Sequence, residues 1–201
     1  MKRRNLIILA LLLLVIDQVV KIWVKTHMTL DEHIQVFGNW FYIRFIENPG
    51  AAFGFELGGE YGKLILSLFR IVAVGLIVWY INRLSKKGNT PTGVLVGLTL
   101  ILTGAIGNIV DSIFYGVIFN ESTYFTVASL FPEGGGYASL LHGKVVDMFF
   151  FPIVRNAAGQ TLFFSPVFNL ADAYISIGVI YLLIFRWKYF LREQPEGGSD
   201  K

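Results

Sequence analysis

The chain has 201 residues, of which 54% are hydrophobic and 15% charged, with a net charge of +3 and no cysteine. A mean hydropathy of +0.59, beside a charged fraction well under the usual ~25%, excludes a disordered chain, a fibre and a water-soluble globule. The lack of thiols excludes disulfide frameworks, thiolate metal sites and cysteine nucleophiles.

Four apolar runs, at about residues 6–24, 64–81, 94–113 and 170–187, match the ~20 residues that a helix needs to cross a bilayer. The first follows a basic start, Lys2-Arg3-Arg4. Asp17 and Lys21 stand where a signal peptide would carry small cleavage-site residues, so a retained helix is expected. Residues 34–46 are rich in aromatic and β-branched side chains around Gly38-Asn39, which predicts a short hairpin or strand with Trp40, Phe41 and Tyr42 at headgroup level. The second long connection carries Gly134-Gly135-Gly136 and a run at 145–154 that is too short to span, hence a strand or interfacial element. The tail, 194–201, is expected to be disordered. Residues 1–193 read as one domain.

Nine of the 17 Lys and Arg residues flank three short segments (Lys2, Arg3, Arg4; Arg83, Lys86, Lys87; Arg186, Lys188, Arg192) that one topology puts on one side. The positive-inside rule makes that side cytoplasmic, with both termini inside. The charge excess then reports topology, and no nucleic-acid partner is expected.

Ionisable groups inside spans cost at least ~2.5 kcal/mol each. Counted at ~1.5 Å per residue from the cytoplasmic ends of the runs, at Arg4, Thr92 and Trp187, Asp17, Lys21, Asn108, Asp111 and Asp172 all fall in the outer third. One polar site near the outer surface is expected. Each residue also has a plainer reading. Asp17 and Lys21 are an i,i+4 pair that can neutralise itself. Asn108 with Gly104 and Gly107 suits close helix packing. Asp111 suits a solvated helix end, and Asn169 and Asp172 suit helix capping. Arg70 reads as a side chain snorkelling outward. His27, His33 and His142 show no metal-ligand spacing, and no metal or cofactor is expected.

Taken together, D-x-x-x-K at Asp17 and Lys21, Asn48-Pro49-Gly50-Ala51-Ala52-Phe53-Gly54, Gly104 to Asp111, Val145-Val146-Asp147 and Phe168-Asn169-Leu170-Ala171-Asp172 resemble the lipoprotein signal peptidases (signal peptidase II). The resemblance runs from the first apolar run to the last. It implies an all-α polytopic membrane protein of four spans, with a small β or interfacial element on the outer, periplasmic side. It also implies an intramembrane aspartic endopeptidase of the bacterial cytoplasmic (inner) membrane. Such an enzyme removes signal peptides from prolipoproteins just before the diacylglyceryl-modified cysteine, with its active site near the periplasmic face.

By the resemblance the catalytic pair is Asp147 and Asp172. Asp17, Lys21, Asn48, Gly50, Gly104, Asn108, Asp111 and Asn169 bind substrate or support the site. The expected partners are the prolipoprotein signal peptide and membrane phospholipids, and the expected state is a monomer. Two features depart from the family: Ser112 where arginine is usual, and an insertion at about 119–144 that reads either as a lid or partner surface or as dispensable. The competing class is a small channel or transporter, whose ion pathway would distribute polar groups through the membrane thickness.

Overall fold

The structure, a computed structural model, describes residues 3–49, 59–155, 161–163 and 166–192. Residues 50–54 of the Asn48–Gly54 motif, and the tail expected to be disordered, lie outside the described residues. All four apolar runs are helical. Helix α1 covers Arg3–His27 and α2 covers Gly59–Lys86. Helix α3 (Thr92–Val110) continues through a π-helical turn, Asp111–Tyr115, into a last turn, α4 (Gly116–Ile118). Helix α5 (Leu170–Tyr181) continues through a second π turn, Leu182–Arg186, into α6 (Trp187–Arg192). Arg3–His27, Ser67–Lys86 and Thr92–Ile118 are long and apolar enough to cross a membrane, while the apolar helix Leu170–Phe185 is shorter. The helices outrun the expected bounds because their polar end residues extend the backbone ladder beyond the apolar stretch.

Lipid-type surface faces outward. Leu11, Leu12 and Val19 of α1 and Phe69, Val72 and Leu76 of α2 are exposed. With apolar surface available on both sides, helix association rests on close packing. Gly104 and Gly107 provide it between α3 and α5. A β-carbon on Gly104 would collide with the Ala171 carbonyl oxygen, and one on Gly107 would come within 2.7 Å of Asp17 Oδ2. One apolar core, with Leu6, Leu84, Val94 and Leu95, closes one end of the bundle. The other, with Val24, Met28, Phe45, Tyr115, Phe119, Val146 and Met148, closes the opposite end beneath a sheet.

The sheet is antiparallel, with strand order β1-β2-β3-β6, where β1 is His33–Phe37, β2 Phe41–Asn48, β3 Val145–Phe150 and β6 Val167–Phe168. The β1–β2 hairpin turns over residues 38–40, at the predicted Gly38-Asn39 position. A two-stranded ribbon of β4 (Val154–Arg155) and β5 (Thr161–Phe163) lies between β3 and β6 in the chain. Register decides what the sheet holds together. Asn48 pairs with Val145 and Ile46 with Asp147, and Phe149 pairs with Phe168. Asp147 is thereby set beside the residue that opens α5.

The 119–144 segment, expected to be an insertion, is folded against this end. Backbone N–H groups of Phe131, Ala138, Leu141 and Gly143 donate to the carbonyls of Ile118, Gly116, Ile113 and Ser112 at 2.7, 2.8, 3.1 and 2.9 Å, and those of Ile118 and Gly116 are among the acceptors that a helix end leaves open. Phe119 and Ser122 are buried, so the segment contributes to the core and is more than a surface loop.

Lys25 anchors it. Its ammonium pairs with the Glu47 carboxylate and donates to Ser122 Oγ at 2.9 Å. It lies 5.3 and 5.0 Å from the ring centres of Phe119 and Tyr137. Burial pushes Glu47 up, but the charges of Lys25 and Lys144 outweigh it and hold the carboxyl below its ordinary range. Lys25→Met is expected to cost about 3–5 kcal/mol, since Glu47 would remain buried without its main cation. Lys25→Met combined with Glu47→Leu should recover much of that loss. Thermal unfolding of both variants in detergent checks this, and equal destabilisation by the two refutes it.

Candidate active site

Eight of the residues singled out in the sequence meet in one hydrogen-bonded cluster below the sheet. Lys21 is its centre. The ammonium has three donors, and three acceptors surround it: Asp17 Oδ2 at 3.2 Å, Asp111 Oδ2 at 2.9 Å and Asn108 Oδ1 at 2.9 Å. Lys21 and Asp111 are fully buried. The i,i+4 pair is therefore present, but as part of a triad that α1 and the end of α3 build together. The solvated helix end considered for Asp111 is not found. Its carboxylate also accepts from the Val146 backbone N–H at 3.2 Å, tying the π turn to β3 next to Asp147.

Asp17 reaches in the other direction. Its Oδ1 accepts from the Ala171 N–H at 2.9 Å, in the first turn of α5. A carboxylate there suits the unsatisfied donors and partial positive charge of a helix start. Asn169 is the N-cap of α5. Its Oδ1 accepts from the Asp172 N–H at 2.9 Å, and the Asp172 carboxylate accepts in return from the Asn169 N–H at 3.4 Å. The capping expected of these two is real and reciprocal. It leaves the Asn169 amide nitrogen free to act elsewhere.

That nitrogen donates to Asp147 Oδ1 at 2.6 Å and to Asn108 Oδ1 at 3.1 Å. Asn108 donates in turn to Asp172 Oδ1 at 2.7 Å. Asn48 donates to the second oxygen of Asp147 at 3.4 Å. Each carboxylate is thus held by an asparagine amide, and the two amides hold each other. Burial first, and then the charge of Asp172, push the Asp147 carboxyl up to about 7, against the pull of Asn169, Lys21 and Asn48. The cluster can therefore keep one carboxyl protonated beside another near neutral pH.

Gly104 sits at the close approach of α3 to α5 and supports the cluster by letting Ala171 come near. Gly50 lies outside the described residues. Among the described residues no group of three or more His, Asp or Glu side chains is arranged to hold a metal ion.

Three participants were not foreseen. Gln18 donates to Asp17 Oδ2, Asp111 Oδ1 and the Gly107 carbonyl at 3.1, 3.0 and 3.2 Å, and Tyr115 donates to Gln18 at 3.2 Å. Gln18 adjoins Asp17, and Tyr115 lies one turn beyond Asp111, so proximity in sequence was the available signal. The third corrects an expectation. Arg70 does not snorkel away: its Nη1 donates to Ser112 Oγ at 3.2 Å, and its charge interacts with Asp172, Asp111 and Asp147. A cation from α2 is thus set against Ser112 of the π turn.

The profile of the family described as Signal peptidase (SPase) II matches residues 9–188. The lipoprotein signal peptidase of Porphyromonas gingivalis is 51% identical over 185 residues, spanning 88% of this chain and 80% of the relative. That of Amoebophilus asiaticus is 38% identical, spanning 88% and 75%. Two solved bacterial membrane enzymes share the fold. One has a TM-score of 0.62 at 24% identity, covering 90% of this chain and 92% of its own, and the other 0.61 at 23%, covering 99% and 94%. Profile, relatives and apolar helices agree, and the chain belongs to the signal peptidase II family of bacterial membrane peptidases.

Proposed function

We propose that the chain removes signal peptides from bacterial prolipoproteins by cleaving just before the diacylglyceryl-modified cysteine, with Asp147 and Asp172 as an aspartate dyad. The observation that carries this reading is the Asn169 amide, which bonds the Asp147 carboxylate through its nitrogen and the start of the Asp172 helix through its oxygen. Two carboxyls held in one desolvated cluster share a proton, because both cannot ionise easily. The ionised member takes a proton from water as the water oxygen bonds to the scissile carbonyl carbon. The protonated member gives its proton to the leaving amine nitrogen as the C–N bond breaks. The two roles belong to the pair. Asn48, Asn108 and Asn169 hold the carboxyls without adding charge. Lys21, Asp17 and Asp111 lock α1, α3 and α5 around them, and Arg70 adds a cation at the edge facing Ser112.

In this reading Leu170–Phe185 and the helical turns after it form a fourth span. Both termini are cytoplasmic, the dyad lies toward the periplasmic face of the inner membrane, and the enzyme works as a monomer among phospholipids. The lipid chains of the substrate then stay in the bilayer while the bond to be cut meets the cluster at its outer end. An ion pathway gains no support from the opposite half of α3. There the buried hydroxyls of Thr99 and Thr103 donate to their own helix, at the Leu95 and Thr99 carbonyls.

Asp147→Asn and Asp172→Asn should each lower processing of a diacylglyceryl-modified prolipoprotein by about 10³-fold or more, with membrane insertion and thermal unfolding retained. Processing by either variant at the wild-type rate would sink the dyad. The pH profile gives a second check. As pH rises past about 7, the level to which the Asp147 carboxyl is raised, the pair loses its shared proton and the rate should fall. Asn48→Ala removes a donor that favours the ionised form, so the alkaline limb should move to higher pH; an unmoved or lowered limb contradicts that. Arg70→Met should reduce kcat by more than Arg70→Lys does, because a lysine keeps the charge. Equal loss in both would mean that Arg70 acts through shape alone.

A further inference from the structure

The 119–144 segment is rigidly held yet turns large apolar side chains outward. Thr123 Oγ1 accepts from the N–H groups of Phe125 and Thr126 at 3.1 and 2.9 Å. The resulting tight turn presents Phe125 at 91% exposure with Tyr124 beside it. Phe131 is 73% exposed although its N–H is bonded to the Ile118 carbonyl at 2.7 Å. Leu130 and Leu140 are also exposed. A tight turn and helix-capping hydrogen bonds are costly scaffolding for side chains that would otherwise face water.

The position of these side chains indicates what covers them. Phe131 adjoins the Ile118 end of the Thr92–Ile118 span, whose last outward apolar residues are Phe114 and Val117. Leu140 precedes Leu141, which donates to the Ile113 carbonyl next to Phe114. On the other side, the Thr123 carbonyl accepts from the Leu30 N–H at 2.9 Å, just past the end of α1, where exposed Trp23 stacks on His27 with ring centres 5.3 Å apart. The outward apolar residues of the segment therefore continue the lipid-type surfaces of two spans at one end of the bundle. The close seating is built in, since a β-carbon on Gly136 would collide with the Gly116 and Val117 carbonyl oxygens. Residues 119–144 carry a single Lys and no Arg, against Glu121 and Glu133, so attraction to anionic headgroups is not the driving force.

We propose that this segment is an interfacial membrane anchor, with Tyr124, Phe125, Leu130, Phe131 and Leu140 seated at the boundary between headgroups and acyl chains. The occupant is a neutral lipid surface, and amphipathic rings with apolar neighbours suit that depth. The inference rests on Thr92–Ile118 crossing the membrane and does not depend on the dyad.

Because the chain has no cysteine, single reporters are clean. Phe125→Cys, Phe131→Cys and, as a water-side control, Glu133→Cys would each carry an environment-sensitive nitrobenzoxadiazole label in full-length protein reconstituted in phosphatidylcholine vesicles. Labels at 125 and 131 should be blue-shifted, quenched by lipids spin-labelled near the headgroup and shielded from aqueous iodide. The label at 133 should be quenched by iodide at least threefold more strongly. If either 125 or 131 is as open to iodide as 133, the segment faces water or awaits a protein partner, and the proposal is overturned. No step of the measurement requires proteolysis, so its failure is separable from failure of the peptidase reading.

Discussion

A single buried ammonium organises the molecule. Lys21 spends all three of its N–H donors on Asp17, Asp111 and Asn108, and those residues come from two helices that share little apolar driving force to associate. In a lipid environment a charge without partners is far costlier than one in water. Each acceptor is therefore a condition on where its helix must stand. Asp17 passes the constraint to α5 through the Ala171 N–H, and Asp111 passes it to β3 through Val146. Asn108 passes it to Asp172. Through Asn108 the carboxylates are reached from Lys21 in two hydrogen bonds (Asp172) or three (Asp147), and the other two routes end on the backbone of the residue just before each aspartate.

The sheet and the helix start complete what the lysine begins. β3 is central in the sheet, between β2 and β6, and β6 ends one residue before the N-cap of α5. Asp147 on the strand and Asp172 on the helix are consequently presented by rigid elements. Asn169 joins them because a cap residue uses its side-chain oxygen for the helix and keeps an amide with two donors. A serine or threonine could cap α5 but could not also donate to two acceptors.

Much of this was legible in the sequence because bilayer geometry converts residue number into depth. Asp17, Asn108, Asp111 and Asp172 are widely separated in sequence, but counting along helices places them at one level, and the motif order names the family. Asp147 is different: only the register of β3 against β6, Phe149 on Phe168, brings it to α5, and no local pattern reveals register. Arg70 was misread for a related reason. Its apolar neighbours suggest a lipid-facing helix, and whether it points at lipid or at Ser112 is set by the rotation of α2 against α3. Lys25 and Glu47 were overlooked because each is ordinary near a helix end or in a strand. Their buried pairing depends on Ser122 and Tyr137, which the 119–144 segment supplies.

The hydrogen bond from Arg70 to Ser112 has a mechanical side. Had the cation been on α3, its distance from Asp111 would be fixed within one helix turn. Here it is a separation between two helices, and so it varies with how those helices lean. Bilayers of different thickness change helix tilt at little energetic cost. A change in the lean of α2 against α3 would therefore move that charge relative to the carboxylates.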